Sequence, residues 1–465
     1  MNRVVVVSNR VPAAPRGSQQ AGGLAVALDA MMGRRGGLWF GWSGEVTSAG
    51  RNAPVIKRDG AVEYATIDLT EVEHRGYYAG YSNDVLWPML HNLPQLMHFR
   101  RSDYDCYMRV NRRFADHLVP MLRPDDAIWV HDYQLMALPG ALRARGVTNN
   151  AGFFLHVPFP APEAVAAAPG IKRVLRELMG SDLLGFQTRT DRDNFAATAA
   201  LLLRAERFDA EHISLDGHAV QLGVFPVEIA AEEFAQTAAA QVQLPPSRRL
   251  ATSLGGRALL LGIDRMDPTK GLPERLDAYG RLLARRPPRS TTMLNIAAPS
   301  REDVPAYRTL RHDLETAAGA INSAFGEPDW TPLRLIAKAQ GRDTLAGFMR
   351  LARVGVVTPI RDGMNLVAKE FIAAQDPADP GVLILSLFAG AAAQLGSALL
   401  VNPHDVESMA DAMQQALDMP PGERRERWKL AWNAIRGATP EEWGESFMHV
   451  LTDNRLAAMP VVGRA

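Results

Sequence analysis

Residues Arg361 to Glu370 read RDGMNLVAKE and follow the apolar run VGVVTP. An acid, a glycine, an amide, a lysine and a glutamate crowd the exit of a buried strand, where polar groups could serve a ligand. A solvated turn has the same composition, so the pattern gains meaning only from company elsewhere in the chain.

That company sits at the ends of other apolar runs. VVVVSNRVP carries Arg10 just past a strand, where a guanidinium can meet a phosphate in bidentate fashion. Gly22 and Gly23 open the helical pattern of AGGLAVALDAMM, which would let a diphosphate approach the positive end of a helix. His131 and Asp132 end IWVHD, and His156 ends FFLH; these strand ends would face one cleft. YYAGYSNDVLWPMLH mixes aromatic rings, which stack on the C–H faces of sugars, with hydroxyls and amides that bind the rims; a buried aromatic cluster beneath a loop fits equally well. In GIDRMDPTKGLPERL, Arg265 and Lys270 can converge on one anion, with Asp267 as a turn residue. No Walker A pattern surrounds this lysine, which disfavours a P-loop NTPase.

Positioning such residues requires strands that stop at one edge. RVVVV, LWFGW, AIWVH, GFFLH and LLGFQ, and later RALLLGI, TTMLNIA, VGVVTP and VLILS, show no polar alternation. They read as strands buried on both faces of parallel sheets. LPGALRARG, LPERLDAYGRLLARR and EFIAAQD carry helical spacing between them, so the fold class is α/β with doubly wound domains. The polar, proline-bearing stretch from Phe225 marks a boundary between domains 1–228 and 229–439. A C-terminal amphipathic helix near 440–457, with Trp443, Phe447, Leu451 and Leu456 on one face, would pack back on the first domain.

Composition narrows the classes. The 465 residues are 47% hydrophobic with 51 basic and 51 acidic side chains, so no global field favours nucleic acid or an anionic membrane. The single cysteine, Cys106, excludes an intramolecular disulfide framework and cysteine-rich zinc sites, and fits a reducing compartment. No signal peptide and no membrane span is expected, which gives a cytoplasmic reading.

SNRVP, YYAGYSNDVLWPMLH, HDYQL, FFLHVPFP, DRMDPTKGLPERL, APSREDVPAY and RDGMNLVAKEF, in this order, resemble the retaining glycosyltransferase family of trehalose-6-phosphate synthases, in the bacterial form without a phosphatase domain. The resemblance implies a GT-B fold, two Rossmann-like domains facing each other across a deep cleft. It implies transfer of glucose from a nucleoside diphosphate glucose, usually UDP-glucose, to glucose 6-phosphate, with no cofactor and no metal. Arg10 and Arg301 match ligands of the acceptor phosphate, and Tyr78, Trp87 and Asp132 match contacts to the acceptor sugar. Gly22 and Gly23 lie against the donor, whose diphosphate Arg265 and Lys270 hold. Asp362, Gly363, Met364 and Asn365 match glucose contacts; Leu366 and Val367 match diphosphate and nucleoside contacts; Glu370 matches the ribose ligand. His156 matches a residue beside the transferred glucose. Asp132, His156, Arg265, Lys270 and Asp362 thus form the expected catalytic set.

The chain departs from the family at DPTKG, where DYSKG is frequent, at Gln340, where the base-contacting residue is often aromatic, and at FPVEI in place of PIGI. The choice among UDP-, GDP- and ADP-glucose stays open, as does homo-oligomer formation. Two other readings share the motifs: a GT-B transferase with a different sugar or cyclitol phosphate acceptor, and a sugar-phosphate sensor without catalysis.

Overall fold

The structure, a computed structural model, describes residues 3–12, 23–48, 53–301 and 304–453. The chain divides into two compact units, Met1–Val227 with Pro440–Ala465, and Glu228–Thr439. Glu228, expected as the last residue of the first domain, instead belongs to the second: it accepts from Lys369 Nζ at 2.6 Å and from Gln394 Nε2 at 2.8 Å.

In chain order the strands of the first unit are β1 (Val4–Arg10), β2 (Gly37–Thr47), β3 (Val55–Asp59), β4 (Val62–Thr70), β5 (Ala127–His131), β6 (Ala151–Phe154), β7 (Leu183–Phe186), β8 (Glu206–Arg207), β9 (His212–Leu215) and β10 (His218–Val224). They form one sheet ordered β3-β4-β2-β1-β5-β6-β7-β10-β9-β8. From β4 to β10 the pairing is parallel; β3, β9 and β8 add antiparallel edges. The four valines of β1 are fully buried because β1 lies between β2 and β5 with helices on both faces.

The second unit contains β11 (Ala258–Arg265), β12 (Thr291–Ala298), β13 (Leu333–Ile336), β14 (Val354–Val357), β15 (Val382–Ser386) and β16 (Leu399–Val401), all parallel, ordered β13-β12-β11-β14-β15-β16. Within the unit that order is third, second, first, fourth, fifth, sixth. The order reverses between β11 and β14, where such sheets open a crevice at the carboxyl ends of their strands. The first unit has the corresponding reversal between β1 and β5.

Two segments differ from the sequence expectation. The stretch after Phe225 is largely helical, with helices Ala231–Gln241 and Pro245–Leu254, and Phe234 and Ala238 enter the core of the second unit. The aromatic segment is no loop. A capping box at Thr70 and Glu73 starts a short α-helical turn that continues as a 13-residue π-helix, His74–Leu86. π-Helical turns are rare and concentrate at functional sites.

The last described helix, Pro440–Thr452, packs on β5 and β7 of the first unit, burying Trp443, Phe447 and Leu451. Phe447 stacks on Trp129 at 4.6 Å between ring centroids. Leu456 lies outside the described residues. Among the described residues no helix is long and apolar enough to cross a membrane.

Candidate active site

In the first unit, the ends of β1 and β5 carry the polar groups. Ser8 accepts from Trp39 Nε1 at 2.8 Å, and Asn9 accepts from Tyr77 O–H at 2.8 Å, so buried rings hold the backbone that presents Arg10. The Arg10 guanidinium lies 5.9 Å from the Trp42 ring centre. Trp42 in turn meets Tyr78 at 5.7 Å, and Tyr78 meets His74 at 5.4 Å. Within the π-helix, Tyr77 and Tyr81 are fully buried while Tyr78 is half-buried. The segment therefore contributes to the core and still leaves one ring partly exposed.

Trp87 follows the π-helix directly, is 7% exposed and packs 4.0 Å from His91 and 5.5 Å from Tyr133. Tyr133 donates to Asn83 Oδ1 at 2.7 Å, which ties the segment to the end of β5. There Asp132 has φ 73° and ψ 166°, a region that costs a non-glycine residue about 1–3 kcal/mol. The surrounding hydrogen bonds hold it: its N–H donates to Phe154 O at 2.9 Å and its Oδ1 accepts from the His156 N–H at 3.3 Å. His131, expected to face the cleft, does not reach the surface, whereas Asp132 is half-buried. His131 is fully buried, and its Nδ1 meets His156 Nε2 at 3.0 Å. β5 ends at His131, whose ring packs in the core, and the chain turns at Asp132 with a positive φ. Burial lowers the pKa of both imidazoles, that of His131 well below its ordinary value and that of His156 to about 3.

In the second unit, the ends of β11 and β14 are tied together. Gly271 (φ +60°) lets its backbone pass so close to Thr358 that a Cβ would sit 2.2 Å from the carbonyl oxygen. Ile360 N–H donates to Thr269 O at 2.8 Å. The loop carrying Lys270 is thereby fixed against the stretch that leads to Asp362. Lys270 Nζ donates to Asp362 Oδ2 at 2.5 Å, and Asn365 Nδ2 donates to the same oxygen at 3.0 Å. Asn365, at φ 78°, also caps helix Leu366–Ala374 by accepting from the Ala368 N–H at 3.1 Å. Leu366 and Val367 supply the first amides of that helix, and Gly363 and Met364 are buried beneath the turn.

Further along the helix, Glu370 accepts from Arg342 Nε at 3.1 Å. Burial raises the Glu370 carboxyl above its ordinary pKa even against the opposing charge of Arg342. Gln340 is half-buried in the loop before helix Arg342–Leu351. Arg265 ends β11 with 46% of its side chain exposed, 3.8 Å from Asp267. Arg301, at φ 49°, donates to Tyr307 Oη at 2.5 Å and lies 3.5 Å from Asp267.

Asp267 is more than a turn residue. It is fully buried, accepts from Thr269 N–H and O–H at 3.0 and 2.9 Å, and accepts from Tyr307 O–H at 2.9 Å. Burial pushes its carboxyl up, but Arg301, then Arg265 and Lys270, outweigh this and hold it below the ordinary carboxylate range. Asp267 is thus the counter-charge of three cations, a role hidden in sequence because Asp-Pro is an ordinary turn signal. Arg342 and Tyr307 were likewise unassigned, although each lies within a few residues of a candidate. Gly22 lies outside the described residues; Gly23 begins helix Gly23–Arg35.

With this geometry in hand, the comparisons are decisive. The model of glycosyltransferase family 20 matches residues 2–453. The chain belongs to glycosyltransferase family 20. It is 42% identical to the trehalose-6-phosphate synthase of Sinorhizobium fredii, over 97% of this chain and 98% of that protein. A trehalose-phosphate synthase from Burkholderia xenovorans, solved in complex with glucose-6-phosphate, is 43% identical with a TM-score of 0.94, covering 97% of this chain and 100% of the other. The Escherichia coli protein bound with UDP-2-fluoro glucose is also 43% identical, with a TM-score of 0.92 and coverage of 97% and 99%. The fold of this family 20 chain is the GT-B type, built from two Rossmann-like units.

Proposed function

We propose that this chain transfers glucose from UDP-glucose to glucose 6-phosphate with retention, giving α,α-trehalose 6-phosphate and UDP. The observation that carries the reading is the group formed by Arg265, Lys270, Asp362 and Asn365 at the sheet reversal of the second unit. The family 20 relatives carrying the synthase name, and the glucose-6-phosphate and UDP-2-fluoro glucose bound to two of them, support it. The second unit takes the donor and the first the acceptor sugar.

Breaking the glucose–phosphate bond puts positive charge on the anomeric carbon and negative charge on the departing nucleotide. Arg265 and Lys270 meet the latter as fixed cations, so the reaction needs no metal. Asp362 and the Gly363–Asn365 backbone hold glucose hydroxyls, Leu366 and Val367 receive the diphosphate and nucleoside, and Glu370, aimed by Arg342, accepts from the ribose. Gln340 lies at the base. Arg10 and Arg301 take the acceptor phosphate; Tyr78, Trp87 and Asp132 take its sugar. The leaving phosphate helps remove the acceptor proton on the same face, and Asp132 orients without bonding to carbon. A glucosyl adduct on Asp132 in mass spectrometry would overturn that last assignment. The single cysteine, Cys106, is buried and unpaired, which accords with a cytoplasmic enzyme.

The test is nucleotide release from UDP-, GDP- and ADP-glucose, each with and without glucose 6-phosphate and with and without a chelator. The expected result is release that is fastest with UDP-glucose, requires glucose 6-phosphate and is unaffected by the chelator. Release equal with and without glucose 6-phosphate would sink the acceptor assignment. Binding with no release would mark a sensor.

A further inference from the structure

The contact between His131 and His156 has a chemical direction, which rests on the environment of the nitrogen that lies outside it. Resting on the reading above that His156 lies beside the transferred glucose, we propose that His131 is a positioning residue that fixes His156 as the tautomer with its proton on Nδ1, so that His156 donates to a sugar hydroxyl and cannot accept from one.

Burial keeps both rings neutral at ordinary pH, so each ring carries one N–H. His131 Nδ1 and His156 Nε2 are 3.0 Å apart, and only one proton can lie between them. His131 Nε2 decides which ring owns it. That nitrogen is buried with no hydrogen-bond partner among the described residues. Around the His131 ring stand Trp129, 4.4 Å between centroids, and Phe154 and Trp443, each at 6.5 Å. None of these side chains offers a conventional acceptor. The Trp129 indole N–H is itself buried without a partner among the described residues, and the Trp443 indole N–H is already given to Phe225 O at 3.1 Å.

A proton on His131 Nε2 would therefore be an orphaned buried donor in a wall of rings that already holds one. Orphaned buried N–H groups are rarer than under-used acceptors. A lone pair there is the cheaper alternative. The proton of His131 then sits on Nδ1 and is donated to His156 Nε2. With Nε2 accepting, the proton of His156 must be on Nδ1. His131 is fully buried whereas His156 is partly exposed, so the Nδ1–H is the polar group that remains for a ligand. Because the His156 pKa lies at about 3, this assignment holds unchanged across neutral pH.

The experiment uses the full chain with 15N-labelled histidine, His156 being assigned by difference from a His156→Gln sample. The expected spectrum has a pyridine-type Nε2 and a pyrrole-type Nδ1 at His156. His131→Phe keeps ring volume but removes the donor. It should give a mixed tautomer and lower kcat about fivefold to tenfold, with the KM for the acceptor nearly unchanged. His131→Asn, whose amide nitrogen can stand where Nδ1 stood, should restore the Nδ1–H signature and most of kcat. A protonated Nε2 on His156 in the unmodified protein overturns the proposal whatever the variants do. So does a tautomer indifferent to His131→Phe. Since the spectrum is read without turnover, a failed transfer assay beside the expected spectrum would count against the proposed reaction and not against the tautomer.

Discussion

Arg10 in the first unit leans on an aromatic ring, whereas Lys270 in the second is bonded to a carboxylate. That contrast runs through both regions. Around Arg10, Tyr78 and Trp87, contacts with aromatic rings fix the side chains. Around Lys270, Arg265 and Arg301, each cation already has an acidic neighbour, Asp362 or Asp267. On the proposed reading, a ligand at Arg10 meets a cation seated on a ring, whereas one at Lys270 must compete with, or share, charges that hold one another. The two regions thus reach preorganisation differently, by packing in one and by a balanced charge network in the other.

The sharpest way to break the comparison is at Lys270. Lys270→Met should lower kcat/KM for the donor roughly tenfold to several hundredfold, as expected for loss of a charge-assisted bond of about 1.5–3 kcal/mol. Asp362→Asn separates the two roles: kcat should fall while UDP affinity, measured by calorimetry, is kept or rises, because Lys270 loses its competitor. Weaker UDP binding in that variant would mean that the carboxylate aligns Lys270 and does not restrain it.

Acid should reveal the cost of the packed region. The folded pKa of His131 and of His156 is depressed, so the stability they permit is present above the unfolded value near 6.5 and is lost as pH falls toward their folded values. Each buried imidazole should contribute a slope of about 1.4 kcal/mol per pH unit below that point. Urea titrations from pH 7 to pH 5 should show this loss, and a shallower one in His156→Gln. Asp267 adds the same sign only below the ordinary carboxylate range. The mildest change is at the rim. Arg10→Ala should raise the KM for glucose 6-phosphate about tenfold, and its exposed side chain should leave stability within about 0.5 kcal/mol. Gly44, whose added Cβ would lie 2.6 Å from the Arg10 guanidinium, explains how closely that cation is seated.

The central strands were legible because burial on both faces leaves an uninterrupted apolar run, as in VVVV and LLLGI. The edge strands were not: β3 and β13 are partly exposed, and their mixed composition resembles loop. The π-helix was hidden because no side-chain period distinguishes it from a stretch of buried rings. In the candidate site, strand exits located Arg10, Asp132, Arg265 and Asp362, since strand ends can be read one at a time. Tyr307 reaches Asp267 across 40 positions and Arg342 reaches Glu370 across 28, and no local pattern announces such pairings. His131 was misdirected for a simpler reason: it is the last residue of β5 and its ring is buried among other rings.

The helix Pro440–Thr452 that walls in Trp129 and Phe154 is separated from them in sequence by the entire second unit. Translation at about 5–20 residues per second then leaves that aromatic surface uncovered for on the order of ten to forty seconds after the rest of the first unit has emerged. A ribosome-tethered fragment ending before Pro440 should consequently be sticky and protease-sensitive.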